Sequence, residues 1–120
     1  MKILLCDDSM TVRKKLGNTL KSLISCDLIE AKNGLEAIDC YNNEAPDLVF
    51  MDIMMPVKDG LEAVAEIMTM HQNAKIVMLS SVGTKTNLQK ALKFGAIDFV
   101  QKPVEIDRLK TILETYNKEV

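Results

Sequence analysis

Five short, largely apolar runs, four of them closing on a polar residue and each followed by a stretch with helical spacing, restrict this chain to few folds. The most informative is Leu48-Val-Phe-Met-Asp52, in which four apolar residues end in an aspartate and Ile53-Met-Met-Pro-Val-Lys-Asp-Gly60 follows at once. An apolar run this short, bounded by a proline and an Asp-Gly turn, predicts a strand buried on both faces, as the strands of parallel sheets are. Comparable runs are Lys2–Cys6 before Asp7-Asp8, Leu28–Ala31, Lys75–Ser80 and Ile97–Lys102, the last ended by Pro103.

The intervening segments repeat their apolar residues every three or four positions. Ser9 is a good cap for a first helix carrying Val12, Leu16, Leu20, Leu23 and Ile24, with Arg13, Lys14, Lys15 and Lys21 on its wet side. Gly17 weakens that helix and is expected where it lies close to the sheet. Asn33-Gly34 reads as a turn, after which Leu35, Ile38 and Tyr41 mark a second helix stopped by Asn42-Asn43 and Pro46. Gly60, expected to supply positive φ, leads into a third with Leu61, Val64 and Met68 on one face. Thr84 to Phe94 forms a fourth, with Leu88, Ala91 and Leu92 inward and Gly95 as its stop; Ile106, Leu109, Ile112, Leu113 and Tyr116 mark a fifth.

Strands alternating with helices through short connections call for an α/β doubly wound fold: a five-stranded parallel sheet with helices on both faces. Five strands suit the flavodoxin-like order 2-1-3-4-5, in which strands 1 and 3 flank the point where the winding reverses. Ligands bind at the carboxyl edge there. Asp7, Asp8 and Asp52 are thereby predicted to share one crevice, joined by Ser80 and Lys102 from the ends of strands 4 and 5.

Composition narrows the function. A chain of 120 residues fits one domain, residues 1–120, with one core. Fifteen Lys+Arg against 17 Asp+Glu leave no basic excess for direct nucleic-acid binding. No apolar segment reaches signal-peptide or membrane-spanning length, so no membrane insertion and a cytoplasmic location are expected. Cys6, Cys26 and Cys40 follow no C-x-x-C spacing and read as reduced, mostly buried thiols, and His71 as a surface residue at a helix end. Zinc sites and Ser-His or Cys-His catalysis are not indicated.

Three carboxylates a few ångströms apart repel one another, and one lysine cannot neutralise them, so either their pKa values rise or a cation occupies the crevice. Mg²⁺ suits such a site, because it is held through one or two carboxylates, water and phosphate oxygens. A metal beside an aspartate, a hydroxyl and an ammonium is equipped for phosphoryl transfer to the carboxylate, giving an aspartyl phosphate. Singly, each residue has a plainer role: an aspartate after a strand can simply cap a helix, and a lone serine or lysine can be a turn or surface residue. Their coincidence at the ends of four strands carries the argument.

Taken together, Asp7-Asp8, Asp52-Ile-Met-Met-Pro56 with Asp59-Gly60, Ser80, and Phe99 to Lys102-Pro103 resemble the receiver domain of two-component response regulators, CheY-like, over essentially the whole chain. The resemblance implies that Asp52 is the phosphoacceptor for a sensor histidine kinase or phosphotransfer protein. It implies Asp7 and Asp8 as the Mg²⁺ pair, with Asp8 the direct ligand and Asp7 acting largely through water, and the backbone carbonyl of Met54 completing the shell. Ser80 matches the switch hydroxyl, Lys102 the cation that pairs with the phosphoryl group, and Phe99 the aromatic whose ring turns inward; Phe99 lacks a phenol OH, so a hydrogen-bonded version of that switch is unavailable. The bond before Pro103 is expected to be cis. The implied output is a change in affinity for a downstream target protein at the face of helix 4, strand 5 and helix 5, by a monomer or by a phosphorylation-linked dimer. Positions two residues beyond Asp52 and Ser80 are Met54 and Val82, where family members often carry polar groups that orient the hydrolytic water; a long-lived phosphoaspartate is expected.

The competing readings miss required residues. An aspartyl phosphatase of the haloacid dehalogenase type needs a second aspartate where Met54 stands, and an FMN carrier needs a phosphate loop where Asp7-Asp8 would repel phosphate. GxxxxGK and GxGxxG are absent. The expected protein is not an enzyme beyond its own phosphorylation and dephosphorylation. It reads as a single-domain regulator of chemotaxis or phosphorelay type, although Leu79-Ser80-Ser81 and Asp98 to Pro103 also resemble receivers attached to chemotaxis methylesterases, and a receiver cut from a longer regulator such as a transcription factor is the alternative.

Overall fold

Residues 1–81 and 85–116 are described by a computed structural model, Lys85 in its backbone only. Strands β1 (Lys2–Cys6), β2 (Asp27–Ala31), β3 (Leu48–Asp52), β4 (Ile76–Ser80) and β5 (Asp98–Gln101) pair in parallel in the order β2-β1-β3-β4-β5. Between and after them run α1 (Met10–Leu23), α2 (Gly34–Glu44), α3 (Gly60–Met70), α4 (Lys85–Lys93) and α5 (Ile106–Tyr116). This is the expected topology.

Period-two alternation decides which helix each strand residue meets. Ile3, Leu5, Leu48, Phe50, Val77 and Leu79 pack with Leu16 and Leu20 of α1 and with Leu109, Ile112 and Leu113 of α5. Leu4, Cys6, Val49, Met51, Ile76 and Met78 face the other way, toward α2, α3 and α4. The core is therefore two layers divided by the sheet rather than one mass. Every residue of β3 and β4 is buried, as the run of apolar residues ending at Asp52 requires.

Local expectations hold unevenly. Ser9 caps α1, accepting from the Val12 amide at 3.2 Å, and Gly17 does face the sheet: a Cβ there would lie 2.9 Å from a Leu28 methyl. Asn33-Gly34 is not a free turn but the start of α2, with the Asn33 side chain accepting from the Glu36 amide. That helix runs through Asn42-Asn43 to Glu44, because the conformational bar set by Pro46 falls only on Ala45, which leaves the helix at φ 45°. Leu88 and Ala91 are buried as expected, but Leu92, read as inward with them, is exposed, as is Leu35, which marks the start of α2, where Ala37 and Ile38 are buried. Gly95 ends α4's segment at φ 118°. Thr84 and Val82 lie outside the described residues.

Gly60 is needed for a different reason from the one expected. Its φ is not in the left-handed region, but a Cβ would sit 2.1 Å from the Asp52 carbonyl oxygen and 2.9 Å from the Ile53 Cα. The positive φ falls on Val57, at 67°, where the Lys58 amide donates to the Pro56 carbonyl at 2.7 Å and closes a γ-turn. Gly60→Ala, which meets backbone, is expected to cost at least about 2 kcal/mol. Gly17→Ala meets only a side-chain end and gains helix propensity, so it is expected to stay within about 1 kcal/mol of the parent. Urea unfolding of the two variants checks the contrast.

Candidate functional site

Among the described residues, the buried polar or charged side chains are Asp7, Asp52 and Ser80, at 2%, 6% and 6% exposure. All three stand at carboxyl ends of adjacent strands, β1, β3 and β4. Parallel pairing in register explains the convergence: Cys6 lies opposite Met51, and Asp52 opposite Leu79, so Asp7, Asp52 and Ser80 sit at the same height. Asp8 is exposed at the rim. Carboxylate oxygens of Asp7, Asp8 and Asp52 lie within 4.8 Å of one another.

One ammonium enters this cluster. Lys102, delivered where its amide donates to the Ser80 carbonyl at 2.7 Å, places Nζ 2.7 Å from Asp7 Oδ2 and 3.3 Å from Asp52 Oδ2. The Lys102–Pro103 bond that follows is cis, as expected. Burial pushes the Asp52 carboxyl up from the usual aspartate range, and the Asp7 charge pushes the same way; Lys102 and the Met54 amide, both donating to it, pull it partly back. Burial lowers the Lys102 ammonium, but its hydrogen bond to Asp7 and the charges of Asp52 and Asp7 outweigh that, so the group is held above the ordinary lysine value. Two buried carboxylates against one ammonium leave an excess of negative charge. The donor set fits Mg²⁺: all oxygen, partly exposed through Asp8, with no thiolate or imidazole.

Asp7 is held on every side. Its amide donates to the Ala31 carbonyl at 3.1 Å, its Oδ1 accepts from the Ser9 amide at 2.9 Å, and its Oδ2 takes Lys102. Its carbonyl accepts from the Arg13 guanidinium at 2.6 Å, while Arg13 Nε donates to Glu30 at 2.9 Å. Sequence periodicity put Arg13 on the wet face of α1; its side chain is 13% exposed and points back over the turn. Only two of the 15 basic residues are arginines, Arg13 and Arg108, and both bridge a backbone carbonyl and a carboxylate, a task suited to a rigid fork of donors. That rarity was the available signal.

Phe99 stands apart from the crevice. It lies on the edge strand β5, opposite Met78, and is 39% exposed. Arg108 of α5 donates to the Phe99 carbonyl and to Asp98, each at 2.8 Å, and the Tyr116 hydroxyl reaches Asp98 at 3.2 Å. His71 caps α3, bonds Asn42 at 2.8 Å and leans on the Tyr41 ring, a structural role tying α2 to α3. Cys6 is buried and Cys26 and Cys40 partly so, all three unpaired, and burial raises each thiol above its ordinary value, away from nucleophilic thiolate. No described helix is long and apolar enough to cross a membrane.

Comparison with known proteins agrees with this geometry. The family model of the response regulator receiver domain matches residues 3–114. The chemotaxis protein CheY of Listeria monocytogenes is 42% identical, over 95% of this chain and 96% of that protein. The receiver domain of NtrX from Brucella abortus superposes with a TM-score of 0.89 at 31% identity, covering 98% of this chain and 99% of that domain; against NtrX itself the match spans 27% of the longer chain. CheY in the CheX-CheY-BeF3-Mg²⁺ complex of Borrelia burgdorferi gives 0.87 at 29% identity over 97% of this chain and 89% of that one. Matching across nearly its full length in both sequence and fold, the chain belongs to the response regulator receiver domain family and is a phosphoacceptor switch of that family.

Proposed function

We propose that Asp52 is the phosphoacceptor, and the observation that carries this is its burial at the carboxyl end of β3 within reach of both Lys102 and the Asp7-Asp8 pair. A carboxylate oxygen of Asp52 attacks phosphorus in line, the P–N bond to the donor's phosphohistidine breaks, and the electron pair stays on the imidazole. Desolvation makes that carboxylate a better nucleophile than an exposed one. Mg²⁺ bound by Asp7, Asp8, Asp52 and the Met54 carbonyl would offset charge on the phosphoryl oxygens. Lys102 is already 3.3 Å from Asp52 and transfers its hydrogen bond to a phosphoryl oxygen, while the Ser80 hydroxyl donates to another.

New charge at the crevice favours a minor arrangement in which Ser80 and the segment after it move toward the phosphoryl group. The ring of Phe99 then turns inward and changes the face of α4, β5 and α5 that meets a downstream protein. Support for this reading is the exposure of Phe99 in the present arrangement and the presence of BeF3 and Mg²⁺ in the similar CheY complex. The donor is a histidine kinase or phosphotransfer protein in the cytoplasm. A free-standing regulator of chemotaxis or phosphorelay type is favoured by similarity extending over 96% of a curated CheY, with no catalytic activity beyond turnover of its own acyl phosphate. Phosphorylation-linked dimerisation remains part of the proposal.

With a ³²P-labelled small phosphodonor and Mg²⁺, the parent is expected to incorporate label, and Asp52→Asn or added EDTA to abolish it; unchanged uptake in either case overturns the assignment. Met54, apolar and exposed two residues beyond Asp52, offers no polar side chain at that position to orient water, so label is expected to persist for minutes or longer, against which decay within seconds would count. Because the folded Asp52 carboxyl titrates above its unfolded value, ionising it costs stability, and that cost appears as pH rises through the folded pKa. Metal-free Asp52→Asn is therefore expected to melt higher than the parent at pH 7, with the gap closing as pH falls below the ordinary aspartate range; thermal scans across pH measure it.

A further inference from the structure

Of the four polar groups of Asp7, three have partners any receiver-like crevice could supply from the strand edge and the turn itself. The fourth, its carbonyl, is held by a side chain from α1, Arg13, at 2.6 Å. Arg13 sits one turn into α1, its own amide bonded to the Ser9 carbonyl at 3.0 Å, and its guanidinium spans from the Asp7 carbonyl to Glu30 on the edge strand β2. The Asp7 carbonyl belongs to the peptide that joins Asp7 to Asp8. Fixing the plane of that peptide fixes the N–Cα bond of Asp8 and so limits the directions in which its Cβ can leave the backbone. Asp8 is exposed and so has little packing of its own to aim it.

We propose that Arg13, anchored by Glu30, is a positioning residue that orients the Asp7-Asp8 peptide so that the Asp8 carboxylate faces the cluster with Asp7 and Asp52. This rests on the reading that the cluster binds Mg²⁺. Arg13 acts through hydrogen-bond geometry and against its own charge: a guanidinium bonded to the backbone carbonyl of a cluster residue repels a divalent cation held by that cluster, so by Coulomb's law alone its removal would tighten metal binding. A positioning role has the opposite sign, and partners that orient ligands typically carry about 10-fold in metal affinity or more.

The test is calorimetric titration of Mg²⁺ into the full chain, without phosphodonor, alongside metal-free thermal unfolding. Arg13→Met is expected to weaken Mg²⁺ binding about 10-fold, and Arg13→Lys, which keeps the charge but has one point of donation, to weaken it by less. Glu30→Gln, which loosens only the anchor, is expected to fall between parent and Arg13→Met. Ile76→Val, trimming a buried side chain at the amino end of β4, is the control for general loss of stability and is expected to leave affinity unchanged. Binding by Arg13→Met as tight as the parent's, or tighter, overturns the proposal, as does an equal loss in Ile76→Val. Should Arg13→Met not fold, Arg13→Lys and Glu30→Gln decide: parent-like affinity in both overturns it. A parent that shows no saturable Mg²⁺ binding overturns the reading of the site, and the proposal with it.

Discussion

The arrangement of this protein depends on a single ammonium between two buried carboxylates. Lys102 reaches Asp7 at 2.7 Å and Asp52 at 3.3 Å, and burying either acid without it would leave an unpaired charge out of water, at several kcal/mol. Yet one positive charge does not cancel two, and Asp8 adds a third carboxylate at the rim. Burial first, and then the uncompensated charge of Asp7, hold the Asp52 carboxyl above its ordinary value. A crevice that is held together but undercompensated has a standing affinity for further positive charge and, through it, for a phosphoryl group.

The scaffold around the crevice is built to hold backbone, not only side chains. Gly60 lets α3 begin directly against the Asp52 carbonyl, its amide bonding to the Ile53 carbonyl at 2.9 Å, and Asp59 closes a capping box with Glu62. The loop between carries Val57 at positive φ, a conformation costing about 1–3 kcal/mol for a residue with a side chain. Arg13 holds the Asp7 carbonyl on one flank. On the other, Arg108, Asp98 and Tyr116 fasten the backbone of Phe99 while leaving its ring in solvent. Rigid strand ends and a loosely covered edge ring are the parts a switch needs: a site that does not yield and a surface that can.

Several side chains show why pattern alone misplaces individual residues. Leu35 and Leu92 fit the helical spacing but are exposed, because α2 and α4 approach the sheet through Ala37 and Ala91, and close approach favours the small residue over the large one. Asn33-Gly34 has turn chemistry, and a capping asparagine uses the same hydrogen bond to begin a helix that a turn uses to reverse the chain. Arg13 looked like a fourth member of a basic face with Lys14, Lys15 and Lys21. Periodicity counts it as polar, and only the position of the Asp7 carbonyl and of Glu30 turns it inward.

By itself the sequence determined the succession of elements, the doubly wound sheet and the identity of the acidic crevice. Those follow from period-two and period-3.6 apolar patterns and from polar residues closing strand-like runs, all of which are local and need no knowledge of neighbours. Tertiary structure decided what is set by distance between segments far apart in the chain. Lys102 meets Asp7 across 95 residues, Gly60 is required by contact with a carbonyl rather than by its own dihedral, and a guanidinium on α1 secures the turn beside the site. Residue type limits which interactions are available, but hydrogen bonds and van der Waals contacts fall off within a few ångströms, so only the folded arrangement selects among them.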